Sequence, residues 1–346
     1  MPVPTDKPTI TVSDATLRDG SHACSHQITV EQIRAYAKAA EAAGFDYLEV
    51  GHGNGLGASS LQVGESLVPE AEMLRVARAE LHRTRLSVHL MPGFATIQRE
   101  IAGALAAGVD LFRVGSHCTE ADITQRHISH VRSAGRHVWG VLMMSHMVSK
   151  EVLLQEARKM QSYGAQGIVL MDSAGAYFPA DVTAKIGLLA SALDVPVGFH
   201  AHNNLGLSIA NSLAALEAGA RLIDGTSKGF GAGAGNAPLE LLAAVLRQQG
   251  YATNIDLYRA FDAADLVGKL FAGSLPTCTG ITIVSGLAGV FSGFAKPVQR
   301  AAAQLGVDPR DVFFELGRRK VVGGQEDLIL EVASELACRS NPGPKP

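Results

Sequence analysis

The sequence predicts an α/β fold, a (β/α)8 TIM barrel followed by a C-terminal helical domain, and three observations predict it. Eight short apolar runs rich in β-branched residues recur through the first two-thirds of the chain. Stretches with apolar residues at helical spacing separate them, and a glycine closes several of those stretches just before the next run. Eight strand–helix units in roughly 250 residues is the arithmetic of a closed parallel barrel. A doubly wound open sheet more often has fewer strands and a glycine-rich turn directly after the first one. Here the first run leads instead into Asp14-Ala15-Thr16-Leu17-Arg18-Asp19-Gly20.

In chain order the expected strands are Ile10-Thr11-Val12, Tyr47-Leu48-Glu49-Val50, Leu86-Ser87-Val88-His89-Leu90 and Leu111-Phe112-Arg113-Val114, then Val138-Trp139-Gly140-Val141-Leu142, Gly167-Ile168-Val169-Leu170-Met171, Val197-Gly198-Phe199-His200 and Leu222-Ile223-Asp224. Helical spacing is clear over 30–43, 153–163 and 207–220, with Gly44, Gly108, Gly164 and Gly219 as stop signals. After about residue 265 the alternation ends. The segments 262–271, 284–294, 298–305, 310–316 and 326–337 read as helices parted by Gly or Pro turns. The expected organisation is a barrel over 1–265, a helical domain over 266–338 and a disordered tail over 339–346, which lacks apolar surface to bury.

The 346 residues are 47% hydrophobic and 18% charged, with a net charge of −3. That is ordinary globular composition. It argues against disorder and, without basic runs, against nucleic-acid binding. No apolar stretch of about 18 residues offers a membrane span. The opening MPVPTDKPTITV lacks a secretory pattern. The scattered Cys24, Cys118, Cys278 and Cys338 read as reduced thiols of a cytoplasmic protein.

In a barrel, polar residues just past the strand C-termini face the active-site mouth. That rule collects Arg18, Asp19 and His22, then His52 and Asn54, Ser116 and His117, Asp172 and Ser173, and His200, His202 and Asn203. The strongest local signal is Phe199-His200-Ala201-His202-Asn203. Residues two apart on a strand share a face, so the two imidazoles form two legs of a divalent-metal site. The bland alternative is a pair of hydrogen-bonded core histidines. Asp19 is the carboxylate for a third leg, since closure separates strands one and seven by a single strand, on the order of 10 Å. Taken alone, Arg18-Asp19 is an ordinary ion pair. A mixed His/His/Asp set with open positions suits Mn²⁺, Fe²⁺, Co²⁺ or Mg²⁺ better than closed structural zinc.

Asp14-Ala-Thr-Leu-Arg-Asp-Gly20, with His200-Ala-His202-Asn203 and the loop Gly231-Ala-Gly-Ala-Gly-Asn-Ala-Pro238, resembles the metal-dependent pyruvate-enolate enzymes of the HMG-CoA lyase-like, DRE-TIM metallolyase superfamily. Thr16-Leu-Arg-Asp-Gly-Ser-His22, Ser116-His-Cys-Thr-Glu-Ala-Asp122, Leu142-Met-Met-Ser-His146 and Val322-Gly-Gly-Gln-Glu-Asp327 are more specifically similar to the 4-hydroxy-2-oxovalerate aldolase family. The resemblance runs from about residue 10 to 335. It implies a class II pyruvate aldolase that splits 4-hydroxy-2-oxo acids into pyruvate and an aldehyde, or joins them. Asp19, His200 and His202 would hold the metal, with Mn²⁺ first and Mg²⁺ or Co²⁺ as alternatives. Arg18 would stabilise charge on the 2-oxo oxygen, His22 would act as general base, and Ser173 would contact the substrate carboxylate.

The chain departs from the family pattern in three places. Gly289-Val290-Phe291-Ser292 stands where the family has Gly-Val-Tyr-Ser, Leu287 replaces another tyrosine, and His52-Gly53-Asn54-Gly55 replaces His-Gly-Asp-Gly. Phe291 therefore keeps the ring without its hydroxyl, which implies a shift in aldehyde choice or C4 stereochemistry. The Gly231–Gly235 loop reads as a turn permitting close backbone approach, with a phosphate cradle as the alternative. Cys24 and Cys118 read as bystanders, and Met143, Met144 and Met147 as core filling. Family relatives commonly work with an acylating aldehyde dehydrogenase, so such a partner, a homo-oligomeric state and a place in aromatic-hydrocarbon catabolism are the expectations, with a stand-alone enzyme in a biosynthetic pathway as the alternative. The alternatives are a Claisen-type acyl-CoA synthase or lyase on the same barrel, and an inactive scaffold subunit.

Overall fold

The computed structural model describes residues 7–340. Eight parallel strands close in sequential order: β1 (Thr11–Leu17), β2 (Tyr47–Val50), β3 (Arg85–Leu90), β4 (Leu111–His117), β5 (His137–Met143), β6 (Ile168–Asp172), β7 (Val197–Ala201) and β8 (Leu222–Gly225). The strand pattern read from sequence is thus the observed one, with β1 and β4 longer than their apolar cores; β4 runs through Ser116 and His117, the residues expected past its end. The extension of β1 through Asp14 holds because that carboxylate points outward, accepting from the Thr16 amide at 2.8 Å and the Tyr36 hydroxyl at 2.6 Å. The Tyr36 oxygen also lies 2.6 Å from Ser227 Oγ, just past β8, so one side chain clasps the first and last strands together.

Helices cover the barrel because local signals start and stop them. Helix Val30–Ala43 opens on a Thr29–Gln32 capping box and ends at Gly44 with φ +77°. Alternation along the strands sends Leu48, Phe112, Leu142 and Leu170 outward against this shell. The opposite face builds a small apolar plug inside the barrel from Tyr47, Leu111, Trp139, Val141, Val169, Met171 and Leu222. Toward the C-terminal mouth the inner wall turns charged, with Glu49, Arg113 and Asp224 at 0–1% exposure.

Helix Leu257–Leu270 runs unbroken through 265 and 266, and its Ala263 and Val267 belong to the barrel's core. A second core forms from Val290, Phe294, Val298, Val312, Phe313, Leu316, Val332 and neighbours. It is contributed by helices Gly280–Ala288, Ala295–Leu305, Pro309–Arg318 and Asp327–Ser340. The helix expected over 284–294 is shorter than its apolar pattern. Gly289 takes φ +63° and ends it, and the chain turns back through Phe291. The last helix reaches Ser340, so 339 and 340 are helical; the rest of the expected tail, 341–346, lies outside the described residues. Cross-domain hydrogen bonds pin this domain over the mouth: Ser292 N to Ser173 O at 3.1 Å, His146 Nε2 with Gly289 O at 3.0 Å, and Lys296 Nζ to Ala23 O at 2.9 Å. No helix among the described residues is long and apolar enough to cross a membrane.

Candidate active site

Asp19, His200 and His202 converge although 181 residues of chain separate the first two. Asp19 leaves the end of β1, and the histidines leave β7 on one face. Their ligand atoms all lie within 4.8 Å of one another. Both imidazole Nε2 atoms stand 3.6 Å from Asp19 Oδ2. His200 Nδ1 lies 3.1 Å from Asp224 Oδ2, while its Nε2 is buried without a hydrogen-bond partner. Donation from Nδ1 to Asp224 leaves the Nε2 lone pair facing Asp19, the arrangement by which a carboxylate behind a histidine sets its tautomer for a cation. Three converging donors of mixed O/N type, one of them a buried unpaired nitrogen, fit a divalent ion.

The carboxylate is held from two further directions. Arg18 Nη1 donates to Asp19 Oδ2 at 2.7 Å, and the Ala232 amide donates to Oδ1 at 3.1 Å. A Cβ on Gly231 would come 2.9 Å from that same Oδ1, so the glycine loop's close approach serves Asp19. Burial pushes the Asp19 pKa up, but Arg18 and His202 overcome it and hold the group well below the usual carboxylate range.

Arg18 is anchored by Glu49 Oε1 at 2.6 Å and by the Gly53 carbonyl at 3.2 Å, leaving Nη2 buried and unpaired. Glu49 in turn accepts from Arg113 Nη1 at 3.0 Å, and Arg113 Nη2 donates to Asp224. A continuous buried chain thus runs Asp19–Arg18–Glu49–Arg113–Asp224–His200 and closes on the triad. Burial raises the Glu49 carboxyl, yet the Arg113 and Arg18 charges hold it at about 2.

His22 and Phe291 lie beside this cluster, their rings edge-to-face at 6.3 Å. Both line a cavity of ≈ 890 Å³ between barrel and helical domain, together with Asn54, Ala232 and Lys296. Because the Ala232 amide bonds Asp19, the cavity floor abuts the triad. Burial keeps the His22 imidazole below its ordinary pKa, so it is a free base at neutral pH. Gly53 makes room for it, since a Cβ there would sit 2.5 Å from His22 Nε2. Ser173 is not joined to the triad by any hydrogen bond among the described residues: its Oγ accepts from the Met144 amide at 3.0 Å.

The remaining polar residues of the mouth do other work. Asp172 accepts from the Ala176 and Tyr177 amides, tying down the loop after β6. Asn203 Oδ1 holds Ser208 at the start of the next helix. His52 stacks on His26 at 3.7 Å, and His117 bonds Thr119 at 2.8 Å. Cys118 is buried and its thiol is pushed up to about 12, which makes it a poor nucleophile.

Residues 9–267 match the HMGL-like family, and 276–338 match the DmpG-like communication domain. The 4-hydroxy-2-oxovalerate aldolase of Pectobacterium atrosepticum is 60% identical over 96% of this chain and 96% of its own length. That of Spirochaeta aurantia is 57% identical over 97% of this chain and 98% of its own. The chain belongs to the 4-hydroxy-2-oxovalerate aldolase family. It is an aldolase, a carbon–carbon lyase. Among solved structures, the carboxyl transferase domain of Rhizobium etli pyruvate carboxylase superposes with a TM-score of 0.81 at 15% identity, over 97% of this chain and 62% of that one, a likeness of fold alone.

Sequence reasoning missed Glu49, Arg113 and Asp224 in this aldolase. Their signal was a single charge inside each of three apolar strand runs. It also missed His89 on β3, whose Nδ1 is buried without a partner.

The buried histidines give the aldolase a signed pH dependence. Burial lowers His26 to about 2, His52 to about 4, His89 to about 3 and His146 to about 4. Below the unfolded value near 6.5 the unfolded chain binds protons that the folded one refuses, so stability falls as pH drops through that window. Burial also raises Asp14 and Asp172 to about 6, which works in the opposite sense between 6 and 3.8. His202, lowered by burial to about 4, adds to the first set, and His200, raised against burial by its Asp19 and Asp224 partners, adds to the second; the lowered histidines outnumber the raised groups. The expected outcome is a melting temperature, measured calorimetrically on metal-free protein, that declines steadily from pH 7 to pH 5; an increase would contradict it.

Proposed function

We propose that this aldolase cleaves 4-hydroxy-2-oxo acids, such as 4-hydroxy-2-oxopentanoate, to pyruvate and an aldehyde, and runs the reverse addition. The observation that carries the reading is the buried Asp19–His200–His202 triangle beside an unpaired Arg18 Nη2 and a neutral His22. Asp19, His200 and His202 would hold a divalent cation, for which we propose Mn²⁺, with Mg²⁺ or Co²⁺ as substitutes. The chemistry such an ion supplies there is Lewis-acid acceptance of negative charge on the 2-oxo oxygen.

The chain's own groups do the rest. The free Arg18 N–H donates to the substrate's 2-oxo or carboxylate oxygen, placing fixed positive charge where the C3–C4 electron pair is drawn. His22 takes the C4 hydroxyl proton as that bond breaks and C4 departs as an aldehyde. Ser173 Oγ accepts from Met144 N and keeps its own hydrogen to donate to the substrate carboxylate. The helical domain lines one side of the cavity beside these groups through Phe291, Ser292 and Lys296.

The test is a metal-reconstituted assay of pyruvate release across a panel of 4-hydroxy-2-oxo acids, with and without coenzyme A. Release that needs a divalent ion and no coenzyme A supports the aldolase; strict dependence on coenzyme A would favour the Claisen alternative. Restoring the phenol with Phe291→Tyr is expected to change the ratio of kcat/KM between the two C4 enantiomers by about tenfold, since one substrate hydrogen bond is gained. An unchanged ratio would remove Phe291 from substrate recognition.

The match of residues 276–338 to a communication domain supports a further part of the proposal, docking of an acylating aldehyde dehydrogenase on the helical domain. Ile283, Leu287 and Phe314 are exposed there and offer apolar contact. We place the enzyme, as a homo-oligomer bearing that partner, in the cytoplasm and in aromatic-hydrocarbon catabolism. Its free cysteines suit a reducing compartment.

A further inference from the structure

His89 belongs to no part of the chemistry described so far, yet it sits on the inner wall of the site. On β3 it shares the inward face with Ser87, and its register partner on β4 is Arg113 of the buried charge chain. In an eight-stranded barrel β3 stands diametrically across from β7, so His89 faces His200 and His202 over the mouth. The ring is fixed. A Cβ on Gly115 would come 2.7 Å from its Cε1, and a Cβ on Gly55 would come 3.1 Å from its Cδ2, so two glycines carve its slot. It is 3% exposed, and its Nδ1 is buried with no partner among the described residues.

Burial is the main reason the ring is neutral; the Arg18 and Arg113 charges reinforce it against Glu49, with His200 the titratable neighbour across the barrel, and the ring offers one N–H donor and one lone pair. A buried unpaired imidazole costs free energy unless something polar completes it. Under the proposed function, Arg18 and Ser173 account for the carboxylate and 2-oxo oxygens, and His22 accounts for the C4 hydroxyl. What remains for the opposite wall is the substituent beyond C4. An alkyl group there would leave the ring nitrogen unsatisfied, and an oxygen would pair it.

We infer that His89 is a specificity-determining residue that hydrogen-bonds an oxygen carried on C5 of the oxo acid, so that this site favours hydroxyaldehydes over simple alkyl aldehydes. The inference rests on the aldolase reading above and adds the class of aldehyde. It also gives the apolar Phe291 a counterpart. The polar contact missing from the helical domain is matched by one supplied from β3.

The experiment compares wild type, His89→Leu and His89→Asn on 4-hydroxy-2-oxopentanoate and 4,5-dihydroxy-2-oxopentanoate. In parallel, exchange of the pyruvate C3 protons in D2O with Mn²⁺, followed by NMR, reports the pyruvate half of the site alone. Wild type is expected to prefer the dihydroxy acid by about tenfold or more in kcat/KM, and His89→Leu to erase or reverse that preference. Exchange in His89→Leu should stay within about threefold of wild type, and His89→Asn, which keeps a donor and an acceptor, should retain the preference. Intact exchange with an unmoved substrate ratio in His89→Leu overturns the inference and leaves the aldolase standing. Exchange and both cleavage rates falling together, at constant ratio, assigns His89 a structural role and likewise overturns it. Absence of exchange in wild type with every divalent ion overturns the aldolase reading and this inference with it. Should His89→Leu fail to fold by thermal melting, His89→Ala, which removes volume, takes its place under the same outcomes.

Discussion

Asp19→Ala is expected to abolish both divalent-metal retention and turnover, with kcat/KM for pyruvate release falling on the order of a thousandfold or more. Asp19 supplies the only carboxylate of the triangle, and both histidine Nε2 atoms approach the same oxygen. Without it, two neutral imidazoles face the Arg18 guanidinium, which repels a cation. Asp19→Asn separates charge from shape. The amide keeps the volume beside Gly231 but offers no negative charge, so metal content measured after dialysis should stay low. Arg18 retains its Glu49 and Gly53 partners in both variants, so the fold should survive. Full turnover in Asp19→Ala would show that the Asp19–His200–His202 triangle does not carry the reaction.

Replacing Arg113 is expected to cost the most stability of any single change in the barrel. Its side chain is fully buried and bridges Glu49 and Asp224. Arg113→Met leaves Glu49 with Arg18 as its remaining cation and Asp224 with only His200, in the buried interior. Losing one partner of a buried ionic network costs about 3–5 kcal/mol, which for a domain of this size lowers the melting temperature by on the order of 10 °C. Asp224 would also lose the charge that holds it behind His200, so metal affinity should fall alongside stability. Pairing Arg113→Met with Asp224→Asn removes the carboxylate left without a cationic partner and should recover part of the loss. A melting temperature unmoved by the single substitution would show that the chain is not a connected support.

Much of this architecture was legible because barrel strands are buried on both faces and announce themselves as short Val, Ile and Leu runs. The triad was legible for a related reason: His200 and His202 keep strand parity, and barrel closure brings β1 near β7. Glu49, Arg113 and Asp224 were not, since pairing three lone charges on separate strands requires the register between those strands. Ser173 marked a strand end correctly, but its hydrogen bond to Met144 depends on a loop whose backbone enters the left-handed region at Met144, φ +52°. In the helical domain the apolar period continues past Gly289, so periodicity alone extended a helix that the glycine ends. The helix through 265 and 266 shows no break in composition, and only its burial against the barrel assigns it there.

The Tyr36 clasp has a consequence for how the protein comes into being. Its hydroxyl joins Asp14 and Thr16 to Ser227, partners that leave the ribosome about 200 residues apart. Until that late segment emerges, the nascent sheet lacks β8, the strand that joins β7 to β1, and nothing closes the wall that brings Asp19 to His200 and His202. Barrel closure and assembly of the Asp19–His200–His202 triangle are therefore one event, completed only by the last strand.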